Sequence, residues 1–155
     1  RVIDLHSSRV LASLPHLVRY LRRERPQALL STLNHANIVA LWAKRLAGVP
    51  TRVVVREANV ITVSSANTQN SRGRIMPFLI RCFYPWADAV IAVSKGVADD
   101  LIKSARLPVE KIHVIYNPVV TPDLFAKAEE PLDHPWFALG EPPIILGVGR
   151  LTKQK

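Results

Sequence analysis

The sequence of 155 residues predicts an α/β domain built on a parallel β-sheet. Three observations lead there. Short apolar runs rich in β-branched residues alternate with segments of helical period, which is the order of successive βαβ units. Hydrophobic residues make up 48% and charged residues 21% of the chain, the composition of a protein that buries a core rather than of a disordered one. The length suffices for one ordinary domain but not for a second complete one.

The elements follow in order. Val2 to Leu5 reads as a first strand. A helix over Leu14 to Arg25 comes next, with Ser13 as N-cap and Pro15 in the first turn, where its missing N–H would have no partner anyway. Leu14, Leu17, Val18 and Leu21 share one stripe of that helix, Arg19, Arg22, Arg23 and Arg25 fall outside it, and Pro26 ends it. A strand over Ala28 to Thr32 leads to a helix through NIVALWAKRLAG. The stop of that helix is well marked: Lys44 and Arg45 complement the C-terminal dipole, Gly48 supplies a left-handed cap and Pro50 forbids continuation. TRVVVRE is a third strand, and Asn59 to Gly73, dense in Ser, Asn and Thr, reads as a long surface loop.

IMPFLIRCFYPW is apolar on almost every face, as in a buried or interface helix. ADAVIAV is a fourth strand, Ser94 caps a helix to about Ala105 whose first turn carries Asp99 and Asp100, and KIHVIYN is a fifth strand. Five strands and four crossovers amount to a doubly wound, Rossmann-like domain. Six of the twelve prolines then lie between Pro118 and Pro143, in a stretch with neither helical nor strand period that reads as an interdomain linker. PPIILGVGR is a new buried strand with a glycine turn. The expected division is residues 1–117 for the sheet domain, 118–142 for the linker and 143–155 for the start of a second, truncated domain. The chain opens without methionine on strand-like RVIDL, so both ends are expected to continue into something longer.

The sharpest chemical signal is the terminal GVGRLTKQK. A strand ending in Gly147 and Gly149 lets backbone N–H groups approach an anion, and Arg150 and Lys155 add two cations. This arrangement suits a diphosphate, or else it is a tight turn with solvated charges. It is no P-loop, and Thr152 replaces the third glycine of G-x-G-x-x-G.

Strand-GxGRLxxxK, preceded by a Pro-rich linker and by ADAVIAVSKGVADDL and KIHVIYNPV, closely resembles the retaining, GT-B type glycosyltransferases of family 4. LLSTLNHANIVALWAKRLAGVPTRVVVREAN is similar to the acceptor-domain half of such enzymes. The resemblance implies a partial N-terminal acceptor domain plus the first strand of a donor-binding domain, with a nucleotide sugar held in the cleft between them. It also implies that Arg150 and Lys155 neutralise the donor diphosphate and stabilise the charge it gains on leaving, in place of a metal. No metal or other cofactor is therefore expected, and no D-x-D pattern is present. The implied partners are a nucleotide sugar donor and a saccharide or lipid-linked acceptor, in polysaccharide biosynthesis. The 155 residues alone are expected to be inactive, since the family's N-terminal glycine-rich loop and paired glutamates have no counterpart in them.

Further candidates lie at strand ends, where α/β sheets place ligand groups. Glu57, in REAN, is placed to accept a hydrogen bond from an acceptor hydroxyl, or is a solvated loop glutamate. Ser94, Lys95 and Gly96 open a helix that faces the cleft, where they meet a phosphate or a sugar hydroxyl, with helix capping as the plainer account of Ser94. Asn117 reads as a linker-turn residue bordering the cleft. Some family members carry a histidine just after the second strand, where this chain has Ser31, Thr32 and Leu33; His35 is out of register and reads as an ordinary helix-start residue.

The net charge is +9. Arg19, Arg22, Arg23 and Arg25, with Arg72, Arg74 and Arg81 around the apolar third helix, are expected either to be solvated or to attract anionic lipid head groups. Nucleic-acid binding is the rival reading of such charge, but no nucleic-acid motif appears, and the aromatics sit in apolar segments rather than among cations. The five histidines lack metal-ligand spacing, and no nucleophile elbow is present. Cys82, the one cysteine, excludes an intrachain disulfide and reads as a small buried hydrophobe. With no apolar run of the roughly 18 residues that span a bilayer, and no signal-peptide pattern at the start, a cytoplasmic protein is expected, held if at all at the inner face of the membrane.

Overall fold

The computed structural model describes residues 2–62, 71–137, 140 and 142–148, and for 71–74 the backbone only. The chain divides into two compact units, Arg1–Tyr116 and Asn117–Lys155.

The first unit is an α/β domain on a four-stranded parallel sheet. Strands β1 (Ala28–Thr32), β2 (Arg52–Glu57), β3 (Ala89–Ala92) and β4 (Ile112–Val114) lie side by side in chain order. Helices α1 (Leu14–Glu24), α2 (Asn34–Ala47), α3 (Ser71–Phe83) and α4 (Lys95–Ala105) accompany them. Val53 and Val55 of β2 and Val90 and Ala92 of β3 point to one face, where Ile38 and Leu41 of α2, Ile80 of α3 and Leu101 of α4 cover them completely. A second cluster, Leu21 of α1 against Ala43 and Ala47 of α2, attaches α1 to this layer.

Strand order fixes which face is covered. Right-handed crossovers that always step the same way along a sheet put their helices on the same side. The expected doubly wound order requires a reversal, which the four strands in chain order do not make, and the expected first strand, Val2 to Leu5, does not form. The other face is accordingly open among the described residues: Leu30 is 63% exposed, and Val54 and Ile91 are half-buried.

Local signals explain where the elements stop. Arg25 takes a left-handed conformation (φ 43°) and its N–H bonds the Leu21 carbonyl, closing α1 before Pro26. Gly48 does the same for α2 (φ 66°), as its sequence predicts, and Arg22 donates to the carbonyls of Leu46 and Ala47 at 2.8 and 3.3 Å. One α1 arginine is thus spent on satisfying helix carbonyls.

Several expectations are corrected. Ser13 does not cap α1, because a 3-10 turn over Val10–Ser13 precedes the helix and the Ser13 hydroxyl turns back to the Val10 carbonyl. Asp99 and Asp100 lie beyond the first turn of α4; Asp100 instead accepts the N–H groups of Ile61 and Thr62, which are already helical inside the expected loop. Ser71 to Gly73, also assigned to that loop, belong to α3. Cys82 is exposed, and so are Ile75 and Phe78, because α3 buries only one of its faces.

In the second unit, a short helix α5 (Pro122–Ala128) interrupts the expected structureless linker. Residues 142–148 form no strand, and Ile145 is 98% exposed, since a lone parallel strand has no ladder to join.

Asp88 ties the amino ends of β2 and β3 together. Its N–H bonds the Val53 carbonyl at 2.9 Å, and its carboxylate accepts the Val53 N–H and the Lys44 ammonium, each at 2.7 Å. Burial pushes the carboxyl up, but Lys44 and the Val53 N–H outweigh it and hold it below its ordinary value of 3.8. A depressed carboxyl contributes stability that is present above its ordinary value and lost as pH falls through the folded one. Asp88→Ala should therefore destabilise the domain by about 1 kcal/mol at neutral pH. Urea titrations should show that the gap to wild type closes well below pH 4.

Candidate functional site

In a parallel sheet, the carboxyl ends of the strands and the turns that follow them form the ligand-binding edge. Here that edge consists of the turns after β1, β2 and β3.

The turn after β1 is strained. Leu33 sits at φ 79° and ψ 128°, a conformation that costs a residue with a Cβ about 1–3 kcal/mol. It also occupies the N-cap of α2 without offering a side-chain acceptor, and its own side chain is exposed. His35 is exposed in the first helical turn. Beside it, the Arg56 guanidinium donates to Thr32 Oγ1 at 3.2 Å across the β1–β2 register pair.

Glu57 does not stand open at the strand end. Strand alternation turns it to the covered face with Val53 and Val55, and it is 1% exposed, so it is neither a solvated loop glutamate nor an exposed acceptor contact. Asn37 of α2 and Tyr84, in the 3-10 turn after α3, enclose it, and both are fully buried. The Tyr84 hydroxyl donates to Glu57 Oε1. Asn37 Nδ2 faces that same oxygen at 3.1 Å, Tyr84 Oη at 2.9 Å and the Arg56 carbonyl at 3.1 Å. These acceptors fix the orientation of the Asn37 amide, because turning it over would set its oxygen against theirs. Asn37 Oδ1 is buried with no donor partner among the described residues.

Burial pushes the Glu57 carboxyl up, and the hydrogen bonds from Tyr84 and Asn37 offset this only in part. Burial and the neighbouring carboxylate also push the Tyr84 phenol well above its ordinary range. The group is thus a buried hydrogen-bonded knot that favours a neutral carboxyl.

The remaining candidates divide. Ser94 caps α4, its Oγ accepting the Val97 N–H at 3.3 Å, while Lys95 and Gly96 are exposed on the turn after β3. Asn117 opens the second unit, and its carbonyl accepts the Val119 N–H at 2.9 Å. Gly147 is exposed, with nothing within 4 Å of where a Cβ would stand. Gly149, Arg150 and Lys155 lie outside the described residues.

Sequence reasoning missed Asn37 and Tyr84. A signal was present for Asn37: it lies four residues before Leu41 and next to Ile38, on the apolar stripe of α2, where a polar side chain needs a buried partner. Tyr84 had none, being one aromatic among several in an apolar run.

Away from this edge, a cavity of about 400 Å³ is lined by Leu41, Lys44, Arg45, Gly48, Val49 and Trp86, with Arg45 lying 5.9 Å from the Trp86 ring centroid. Among the described residues, no three of His, Cys, Asp and Glu gather to hold a metal ion.

A parallel sheet with helices between its successive strands is a Rossmann-like domain. Residues 3–118 match the model of the glycosyl transferase 4-like domain, and the chain belongs to that family. It is similar to the N-acetylgalactosamine-N,N'-diacetylbacillosaminyl-diphospho-undecaprenol 4-alpha-N-acetylgalactosaminyltransferase of Campylobacter jejuni, with 34% identity over 79% of this chain and 32% of that protein. It is also similar to the alpha-maltose-1-phosphate synthase of Mycolicibacterium smegmatis, with 29% identity over 73% of this chain and 30% of that protein. The chain thus spans about a third of the length of these curated relatives. In fold it matches the crystal structure of Anabaena HepE in complex with UDP, at a TM-score of 0.53 and 20% identity, over 75% of this chain and 31% of that one.

A carboxyl raised in the folded state contributes stability that is complete below its ordinary value and is lost as pH rises through the folded one. Glu57→Gln keeps an oxygen for Tyr84 and Asn37 but cannot ionise. Thermal unfolding should show the variant gaining on wild type from pH 5 to pH 9, with the smallest difference near pH 4.

Proposed function

We propose that the whole protein transfers a sugar from a nucleotide diphosphate sugar to a hydroxyl of a saccharide or lipid-linked acceptor, with retention of anomeric configuration. This chain supplies the acceptor side. The observation that carries the reading is the family match over residues 3–118, and the two curated relatives, one a glycosyltransferase and one a synthase of a sugar phosphate, support it. The chain by itself transfers nothing, because the bulk of a donor-binding domain is not within it.

In this reading Arg150 and Lys155 face the donor diphosphate and stabilise the charge that grows on it as the glycosidic bond breaks, in place of a resident metal ion. Gly147 and Gly149 let the backbone approach the phosphates, and Lys95 offers a cation at the start of α4. In the full-length enzyme, Arg150→Ala should lower kcat by about 100-fold or more, measured as release of nucleoside diphosphate. An unchanged kcat refutes the role.

The acceptor-side unit is further proposed to meet an anionic membrane surface. No helix of the described residues is long and apolar enough to cross a bilayer. Arg19, Arg23 and Arg25 are exposed on and beside α1, and Arg81 is exposed on α3 near Ile75 and Phe78, a combination of cations and apolar groups that suits lipid head groups. Flotation of the full-length protein should favour vesicles containing phosphatidylglycerol over neutral ones, with less binding as salt rises.

A further inference from the structure

We propose that Glu57 is a positioning residue of the acceptor edge: through Asn37 and Tyr84 it locks the first turn of α2 to the carboxyl end of β2 and so sets where the acceptor hydroxyl lies. The inference rests on the glycosyltransferase reading and adds to it a residue that acts without touching substrate.

Three elements distant in sequence meet here through polar groups. Asn37 belongs to the helix that opens with strained Leu33 and exposed His35. Glu57 ends β2, and its carbonyl accepts the Val93 N–H at 3.2 Å, one residue before Ser94. Tyr84 arrives from the turn after α3. Asn37 also holds the Arg56 carbonyl, so the strand end that carries Arg56 is fixed from beneath. Hydrogen bonds through one buried carboxyl therefore link the first turn of α2 and the turn after α3 to the end of β2, while the Glu57 main-chain carbonyl ties in the residue after β3.

The scale of the demand on these bonds favours a positioning role. Misplacement of a bound group by about 1 Å costs on the order of 100-fold in rate. Buried, mutually satisfied polar groups hold elements to a tighter geometry than apolar packing does, and their loss leaves orphaned polar atoms. The groups facing the carboxyl are few. Tyr84 is the titratable one, α2 presents the uncharged Asn37, β3 presents Ala92 and Val93, and the charge of Arg56 is directed to the other face of the sheet.

The test uses the full-length enzyme with a nucleotide sugar and its acceptor, comparing Glu57→Gln, Glu57→Ala and Tyr84→Phe. Glu57→Gln, which keeps an oxygen for Tyr84 and Asn37, should keep acceptor kcat/KM within about threefold of wild type at pH 7. Glu57→Ala should lose about tenfold in acceptor kcat/KM with donor KM unchanged. If Glu57→Ala does not fold, Tyr84→Phe, which removes the hydroxyl that donates to Glu57 and accepts from Asn37, should lose about threefold in the same quantity. Lowered Tm with acceptor kcat/KM unmoved in the folded variants overturns the proposal. Calorimetry of nucleotide-sugar binding separates the two failures: no binding by wild type overturns the glycosyltransferase reading, whereas binding with acceptor kinetics indifferent to these variants overturns the positioning role alone.

Discussion

The first unit depends on a carboxyl group in its interior. Glu57 is enclosed by Asn37 and Tyr84 where a hydrophobic side chain would pack more cheaply, since desolvating a carboxyl costs more than burying a methyl group recovers. The arrangement persists because each polar atom facing Oε1 is a donor, and because burial drives the carboxyl toward its neutral form. Asn37 Oδ1 is the exception, an acceptor without a donor on the side of the knot away from Glu57. What the fold gains is a directional link between α2, β2 and the end of α3, which Ile80, Leu41 and Val55 pack together without fixing in register.

Much of the fold was legible because its signals are local. Gly48 closes α2, Ser94 caps α4, and the β-branched runs at Arg52–Glu57 and Ala89–Ala92 are strands, each set by residues within one turn of the feature. The misreadings have a common cause. Val2 to Leu5 and residues 142–148 carry strand composition, but a parallel strand exists only through a neighbour's backbone, and composition does not say whether that neighbour is there. Ser13 had the right chemistry for a cap and was bypassed because the preceding 3-10 turn had already satisfied the helix entry. Cys82 followed its apolar neighbours into the predicted core, although helical period places it on the outer face of α3, opposite Ile80 and Tyr84.

The candidate site was legible in position but not in orientation. Placing Glu57 at a carboxyl edge follows from strand order; knowing which face it takes requires the register of β2 against its neighbours, which pairs Glu57 with Ala92 and Arg56 with Ile91. Tyr84 was illegible for the same reason, since its hydroxyl matters only once α3 has been laid beside α2. Ser94 was read both ways in the sequence, and its short-range bond to Val97 is the reading the structure displays. Long-range partnership is the information a single sequence withholds at each of these positions.

Alternation along β2 connects the buried knot to the open edge. Val53, Val55 and Glu57 enter the covered layer, while Arg52, Val54 and Arg56 face the uncovered side. A slip of β2 by one residue would exchange the two sets, drawing Arg56 into the layer that Asn37 and Tyr84 line and sending the carboxyl out. The cost is not symmetrical. Two valines or alanines exchange places at little penalty, but a guanidinium in that layer would be a buried charge with no carboxylate to pair with it. The polar pair at the end of β2 therefore specifies the register that its valines alone leave weakly determined. The same step that buries Glu57 delivers Arg56 to Thr32 at the edge. Register and site geometry are in this way a single constraint, imposed by two consecutive polar residues on opposite faces of one strand.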